Sequence, residues 1–165
     1  MTDQEHVFKE IFQKNSKKIY HLCYGYTNDE ESANDLLQET FIKVWQNLDK
    51  FRNQAMISTW IYRIAVNTCL THLRKENRQA KDELTPSIIA EHKEEISEKQ
   101  EQIKTLYKCI AQLEETDRLI ITMVLDELPY NEIAEISGIS EGNLRVKIHR
   151  IKNKLTELYN RYERL

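Results

Sequence analysis

The sequence predicts an all-α protein made of two small helical domains joined by an acidic linker. Three observations carry that expectation. Only three glycines and two prolines, Pro86 and Pro129, interrupt 165 residues, so the turn signals that punctuate a sheet are scarce. Glu, Lys, Leu and Ile are abundant, a composition that favours helix throughout. Apolar periodicity is strong from Val7 to about Leu73, fades between Gln79 and Glu95, and resumes at Ile96, Ile103, Leu106, Ile110 and Leu113. The expected divisions are therefore 1–79, a linker over 80–96, and 97–165.

Composition also excludes several classes. No apolar run approaches the length of a membrane-spanning helix, and the opening MTDQEHVFKE lacks the basic-then-apolar layout of a secretion signal. A soluble, cytoplasmic protein with no membrane insertion is expected. Cys23, Cys69 and Cys109 are far apart and form no C-x-x-C pair, which predicts reduced, buried thiols rather than a disulfide framework or zinc knuckle. His6, His21, His72, His92 and His149 are equally scattered. With no Gly-rich phosphate loop and no paired nucleophile and base, neither a metal, a cofactor nor an enzyme is expected.

Taken in order, the first patterned helix is DLLQETFIKVWQNLDKFR, Asp35 to Arg52. Leu37, Phe41, Val44 and Leu48 form its core stripe, while Asp35, Glu39, Ile42 and Gln46 share the opposite face. Ile42 amid those polar groups has two readings, incidental surface or a protein-docking spot. The second helix is STWIYRIAVNTCLTHLRKENR, Ser58 to Arg78. Its buried side is Ile61, Tyr62, Ala65, Val66, Cys69 and Leu73, and Trp60, Arg63, Asn67, Thr71, Arg74 and Arg78 step along the other. Guanidinium groups bind phosphates and an aromatic ring stacks on an unpaired base, which suits opening DNA. The other reading of this stripe is a core Trp60 with arginines that merely solvate the helix.

From Asp82 to Glu101, seven acids (Asp82, Glu83, Glu91, Glu94, Glu95, Glu98 and Glu101) face only Lys93 and Lys99, and Thr85-Pro86 disfavours helix. Ser97 and Gln100 have the spacing of a capping box and predict a helix start. Near the C-terminus, YNEIAEISGISEGNLRVKIHRIKNKL, Tyr130 to Leu155, reads as a short helix, a tight turn at Gly138 and a long basic helix. Gly138 suits a positive φ and Ser140 suits an N-cap. At about 100° per residue, Leu144, Ile148, Ile151 and Leu155 pack on one side. Asn143, Val146, Lys147 and Arg150 face away, with Arg145 and His149 on the flank. No acid occurs between Asn143 and Lys154 although the chain's net charge is −3, so this local cationic face fits phosphate contact by a helix-turn-helix. A solvated basic face is the plain alternative.

Those three segments, in that order, resemble a bacterial RNA polymerase sigma factor of the extracytoplasmic-function group. Asp35 to Arg52 is similar to the family's D-L-x-Q-E-x-F-x-x-x-W block of region 2, Phe51 to Arg78 to its F-R…T-W-L-Y-R-I-A-x-N block, and Tyr130 to Leu155 to its region 4 helix-turn-helix. The resemblance implies that Asp35, Gln38, Glu39, Ile42 and Gln46 dock on the clamp of the polymerase β′ subunit, and that region 4 meets the β flap. It implies −10 recognition and melting by Arg52, Asn53, Gln54, Met56, Ser58, Trp60, Arg63, Asn67, Arg74 and Lys75. It implies −35 recognition by Ser140, Asn143, Arg145, Val146, Lys147, His149 and Arg150, and control by an anti-sigma factor. The −10 loop departs from the family pattern, which often carries a glycine and an aromatic residue where this chain has Asn53-Gln54-Ala55-Met56-Ile57. The rival function is a free-standing helix-turn-helix regulator that dimerises on a palindrome.

Overall fold

The computed structural model describes residues 1–79 and 97–164, including side chains except those of 73–79. The expected linker over 80–96 lies outside the described residues. Every regular element described is helical: α1 (Asp3–Thr27), α2 (Glu30–Asn47), a 3₁₀ turn (Leu48–Lys50), α3 (Ile57–Gln79), α4 (Glu98–Ile110), α5 (Glu115–Leu125), α6 (Tyr130–Ser137) and α7 (Glu141–Glu163).

Local chemistry sets the ends of these helices. Thr2 and Glu5 cap α1 reciprocally: the Thr2 hydroxyl accepts the Glu5 N–H at 3.2 Å, and the Glu5 carboxylate accepts the Thr2 N–H at 2.6 Å. Asn28 stops the helix in the left-handed region at φ 52°, donating its N–H to the Tyr24 carbonyl at 2.7 Å. Asp29 then caps α2 by accepting the Ser32 N–H at 2.9 Å, and the hydrogen bonds from Ser32 hold its carboxyl below the usual range. The expected capping box at α4 is present, with Ser97 N–H on the Gln100 side-chain oxygen at 3.0 Å and Gln100 N–H on the Ser97 hydroxyl at 3.3 Å.

In the N-terminal half, α1, α2 and α3 pack around Leu22, Cys23, Leu36, Val44, Ile61, Ala65 and Cys69, all without solvent exposure. Full burial of such aliphatic side chains contributes roughly 1.5–3 kcal/mol each. The α2 core matches the expected stripe in part: Phe41 and Val44 are buried as expected, but Ala33, Leu36 and Thr40 join them, whereas Leu37 and Leu48 are only half-buried. Thr40 fits this core because its hydroxyl donates to the Leu36 carbonyl at 2.7 Å, so no polar group is left unpaired. Val66 is likewise half-buried, and Thr68 takes core space instead, donating to the Ile64 carbonyl at 2.7 Å. All three cysteines are free and buried. The hydrogen bond between Cys69 and Cys23, together with burial, holds the Cys69 thiol well above its ordinary range.

In the C-terminal half, α4 and α5 support the pair α6 and α7. Glu127, at φ 62°, ends α5 and lets the Leu128 N–H reach the Met123 carbonyl at 3.1 Å, which seats Leu128 in the core. Pro129 leads directly into α6. The two halves touch, α1 against α4 and α5, and α3 against α6, so their cores run together. No helix among the described residues is long and apolar enough to cross a membrane.

Candidate protein and nucleic-acid interfaces

The first surface is an apolar groove of about 480 Å³ between α1 and α2, lined by Phe8, Phe12, Gln38, Phe41, Ile42, Trp45 and Gln46. Ile42 is 56% exposed, so it belongs to the surface and not to the α2 core. Aromatic edges build the floor: Phe12 meets Phe41 at 4.8 Å and Phe8 meets Trp45 at 5.3 Å, both edge-on. Of the five residues expected at a docking face, Gln38, Ile42 and Gln46 line the groove. Asp35 is exposed outside that lining, and half-buried Glu39 pairs with Lys43 at 3.2 Å. The contribution of α1 was not foreseen. Its sequence signal is the i, i+4 pair Phe8 and Phe12, which places two aromatic rings on one helical face.

A second groove, about 640 Å³, opens beside the segment from Phe51 to Met56 and is lined by Asp3, Gln4, Val7, Leu48, Asp49, Phe51, Asn53, Ala55, Met56 and Ile57. Asn53 holds φ at 55°, a left-handed turn that asparagine tolerates, and Met56 stands 62% exposed at the rim. Arg52 and Gln54 are exposed but do not line the groove, and Ser58 belongs to the first turn of α3 rather than to the loop. Trp60 is half-buried, its ring 5.1 Å from that of Phe51, so it braces the loop instead of standing free. Here too the start of α1 supplies a wall, through Asp3, Gln4 and Val7, that no pattern in α3 signalled.

Along α3, Asn67 is exposed while Arg63 is engaged. The Arg63 guanidinium donates to the Glu135 carbonyl at 3.3–3.4 Å and to the Glu135 carboxylate at 3.3 Å. The side chains of Arg74 and Lys75 lie outside the described residues. Buried Tyr62 packs behind this stripe, and burial, followed by the nearby charges of Asp126 and Glu132, pushes its phenol far up.

The helix-turn-helix has the expected turn. Gly138 sits at φ 73° with its N–H on the Ala134 carbonyl at 2.9 Å, and the Ser140 hydroxyl accepts the Asn143 N–H at 3.4 Å. Ser140 is thus occupied as a cap. Leu144, Ile148, Ile151 and Leu155 are buried, and Asn143, Arg145, Val146, His149 and Arg150 are exposed, with Val146 at 52%. Glu141 accepts from Arg145 at 2.9 Å, and the Arg145 guanidinium lies 5.2 Å above the Tyr130 ring, so this cation is pre-positioned. His149 contacts Asn153 at 3.3 Å. Lys147 differs from its expected outward aim: it is half-buried and pairs with Asp117 of α5 at 3.0 Å. Arg150 makes no ion pair among the described residues.

Among the described residues no cluster of His, Cys, Asp or Glu has the geometry to hold a metal ion. What the surfaces offer is one apolar docking groove, one loop-flanked groove beside a partly cationic helix, and one outward helix face.

Comparison with known proteins agrees in extent with these surfaces. The family pattern described as Sigma-70 region 2 matches residues 11–79, and that described as Sigma-70, region 4 matches residues 103–155. The ECF RNA polymerase sigma factor SigW of Bacillus subtilis (strain 168) is 32% identical over 166 residues, covering 93% of this chain and 88% of that protein. The ECF RNA polymerase sigma-E factor of Escherichia coli (strain K12) is 36% identical over 146 residues, covering 77% of this chain and 75% of that protein. The sigma factor RpoE, solved in complex with the anti-sigma factor NepR from Bartonella quintana, has the same fold at a TM-score of 0.78, with 22% identity over 93% of this chain and 96% of that one.

Proposed function

Because the chain belongs to the extracytoplasmic-function (ECF) group of the sigma-70 family and directs transcription initiation through RNA polymerase, we propose how its surfaces divide that task. A sigma factor is not an enzyme, and its work is recognition. Residues 1–79 form the polymerase-docking and −10 module, 80–96 the linker, and 97–165 the −35 module. Gln38, Ile42 and Gln46, extended by Phe8, Phe12 and Trp45, seat the β′ clamp, with Asp35 and Glu39 as charged flank. Region 4 meets the β flap. Asn53 and Met56 border the groove that receives an unpaired −10 base, Trp60 braces that loop, and Arg63, Asn67, Arg74 and Lys75 follow the displaced strand. Arg145, Val146, His149 and Arg150 enter the major groove at −35, where arginine suits guanine edges and Val146 suits a thymine methyl. An anti-sigma factor, of the kind that binds the Bartonella protein, covers these surfaces in the bacterial cytoplasm until initiation is needed.

The observation that carries this reading is Ile42, an aliphatic side chain 56% exposed beside a groove of aromatic rings. Surface apolar groups at the centre of an interface accept an uncompensated charge poorly. Ile42→Glu should therefore preserve the helical circular dichroism spectrum and lose affinity for purified core polymerase by roughly 2–4 kcal/mol. Unaltered polymerase binding by the folded variant would remove the docking assignment. A palindrome-binding dimeric regulator, the other reading of a helix-turn-helix, leaves the region 2 match over 11–79 without a role.

A further inference from the structure

One cation of α7 is held in place and another is not. Arg145 donates through Nη2 to the Glu141 carboxylate at 2.9 Å, one helical turn back, and its guanidinium carbon lies 5.2 Å from the centre of the Tyr130 ring. Arg150 makes neither an ion pair nor a ring contact among the described residues. The ring beside Arg145 comes from a different helix and is itself fixed. Tyr130 is the first residue of α6, where the Pro129 carbonyl accepts the Glu132 and Ile133 N–H groups at 3.0 and 3.1 Å. Its side chain is half-buried and packs against the core.

The two contacts leave most of the guanidinium free. A planar cation resting on an aromatic face gives up none of its in-plane N–H donors. Glu141 engages Nη2, while Nη1 and Nε make no hydrogen bond to a described residue. Neither contact is strong, since the Arg145 and Glu141 side chains are 61% and 47% exposed. Their effect is on freedom. An unheld arginine loses rotamer freedom when it binds, whereas a held one has lost it beforehand. Glu141 alone cannot fix a direction, because it rides on the same helix and the pair can swing together. The ring, carried by α6, decides to which side the guanidinium lies.

We infer that Tyr130 is a specificity-determining residue of the −35 module: its ring is the platform that, with Glu141, aims Arg145 at one base edge. Tyr130 is a positioning residue that acts through Arg145, by its aromatic face and not by its hydroxyl. Helical spacing on α7 cannot find it, because it lies on α6. The inference rests on the proposed assignment of α7 to the −35 element.

Holoenzyme carrying Arg145→Ala, Tyr130→Leu or Tyr130→Phe should be made to transcribe a promoter library randomised across the −35 element, with the preference at each base position read separately from total transcript. Arg145→Ala should lower the preference at one position by about fivefold or more. Tyr130→Leu keeps apolar bulk against the core without an aromatic face, and should lower the preference at that same position by about two- to fivefold. Tyr130→Phe should keep it. Adding Tyr130→Leu to Arg145→Ala should lower it no further, since both act on one contact. An unchanged preference in folded Tyr130→Leu, relaxation at a different position, or an equal loss in Tyr130→Phe and Tyr130→Leu would overturn the inference. If circular dichroism shows Tyr130→Leu unfolded, Tyr130→Met, whose flexible thioether fills irregular space, takes its place under the same criteria. Arg145→Ala that lowers transcription evenly, with no position relaxed, would instead remove the base-reading assignment beneath the inference, and the inference with it.

Discussion

The two helices proposed to face DNA, α3 and α7, stand in different states of readiness. α7 turns one whole face outward, with Val146 52% exposed and Arg150 unpaired among the described residues, and its buried side is a single row of aliphatic side chains. Among the described side chains of α3, Asn67 is exposed, but Trp60 leans on Phe51 and Arg63 is held by Glu135. A surface made from one helix is available as soon as the helix packs. A surface made from a loop, a helix and parts of two neighbours depends on where those neighbours stand.

This contrast can be broken first at the groove between α1 and α2. If docking uses both helices, Phe12→Glu should weaken core polymerase binding by roughly 2–4 kcal/mol, comparable with Ile42→Glu, while the protein keeps its helical content. Isothermal titration with core polymerase checks this. A loss confined to Ile42→Glu would make α2 the sole docking element, a one-helix surface like α7.

A smaller effect sharpens the picture of α7 itself. Arg150 makes no ion pair among the described residues, whereas the ammonium of Lys147 is drawn toward Asp117 at 3.0 Å. Arg150→Ala in holoenzyme should cost about 1–3 kcal/mol at a preferred −35 sequence and relax selection at one base position. Lys147→Ala should weaken all −35 sequences alike and by less. Transcription of a promoter library reads both outcomes, and uniform loss for Arg150→Ala would reduce α7 to a positioning helix.

The same contrast explains what was legible in the sequence. Periodicity found the α7 faces because Leu144, Ile148, Ile151 and Leu155 are spaced for one stripe, and the turn was written in Gly138 and Ser140. Periodicity also put Ile42 outside the core. It missed part of the α2 core by taking Leu37 for Leu36, because the stripe includes Thr40, a polar residue made tolerable by its bond to the Leu36 carbonyl. The parts of Phe8, Phe12, Asp3 and Gln4 in the two grooves were hidden because they depend on how α1 lies against α2 and the loop. Helical spacing gives a residue's side of its own helix and says nothing of its neighbours. For the same reason Lys147 was placed outward: its acidic partner comes from α5.

The difference between the two regions is tested most directly by following promoter opening in time with holoenzyme carrying either Asn67→Ala on α3 or Arg150→Ala on α7. Closed-complex formation is read by filter binding at low temperature, and strand opening by permanganate reactivity of −10 thymines. Asn67→Ala should leave closed-complex formation near the wild-type level and reduce permanganate reactivity, while Arg150→Ala should reduce closed-complex formation itself. If both variants impair the same stage to the same degree, α3 and α7 act as one undivided phosphate-binding surface, contrary to the assignment of melting to one and duplex reading to the other.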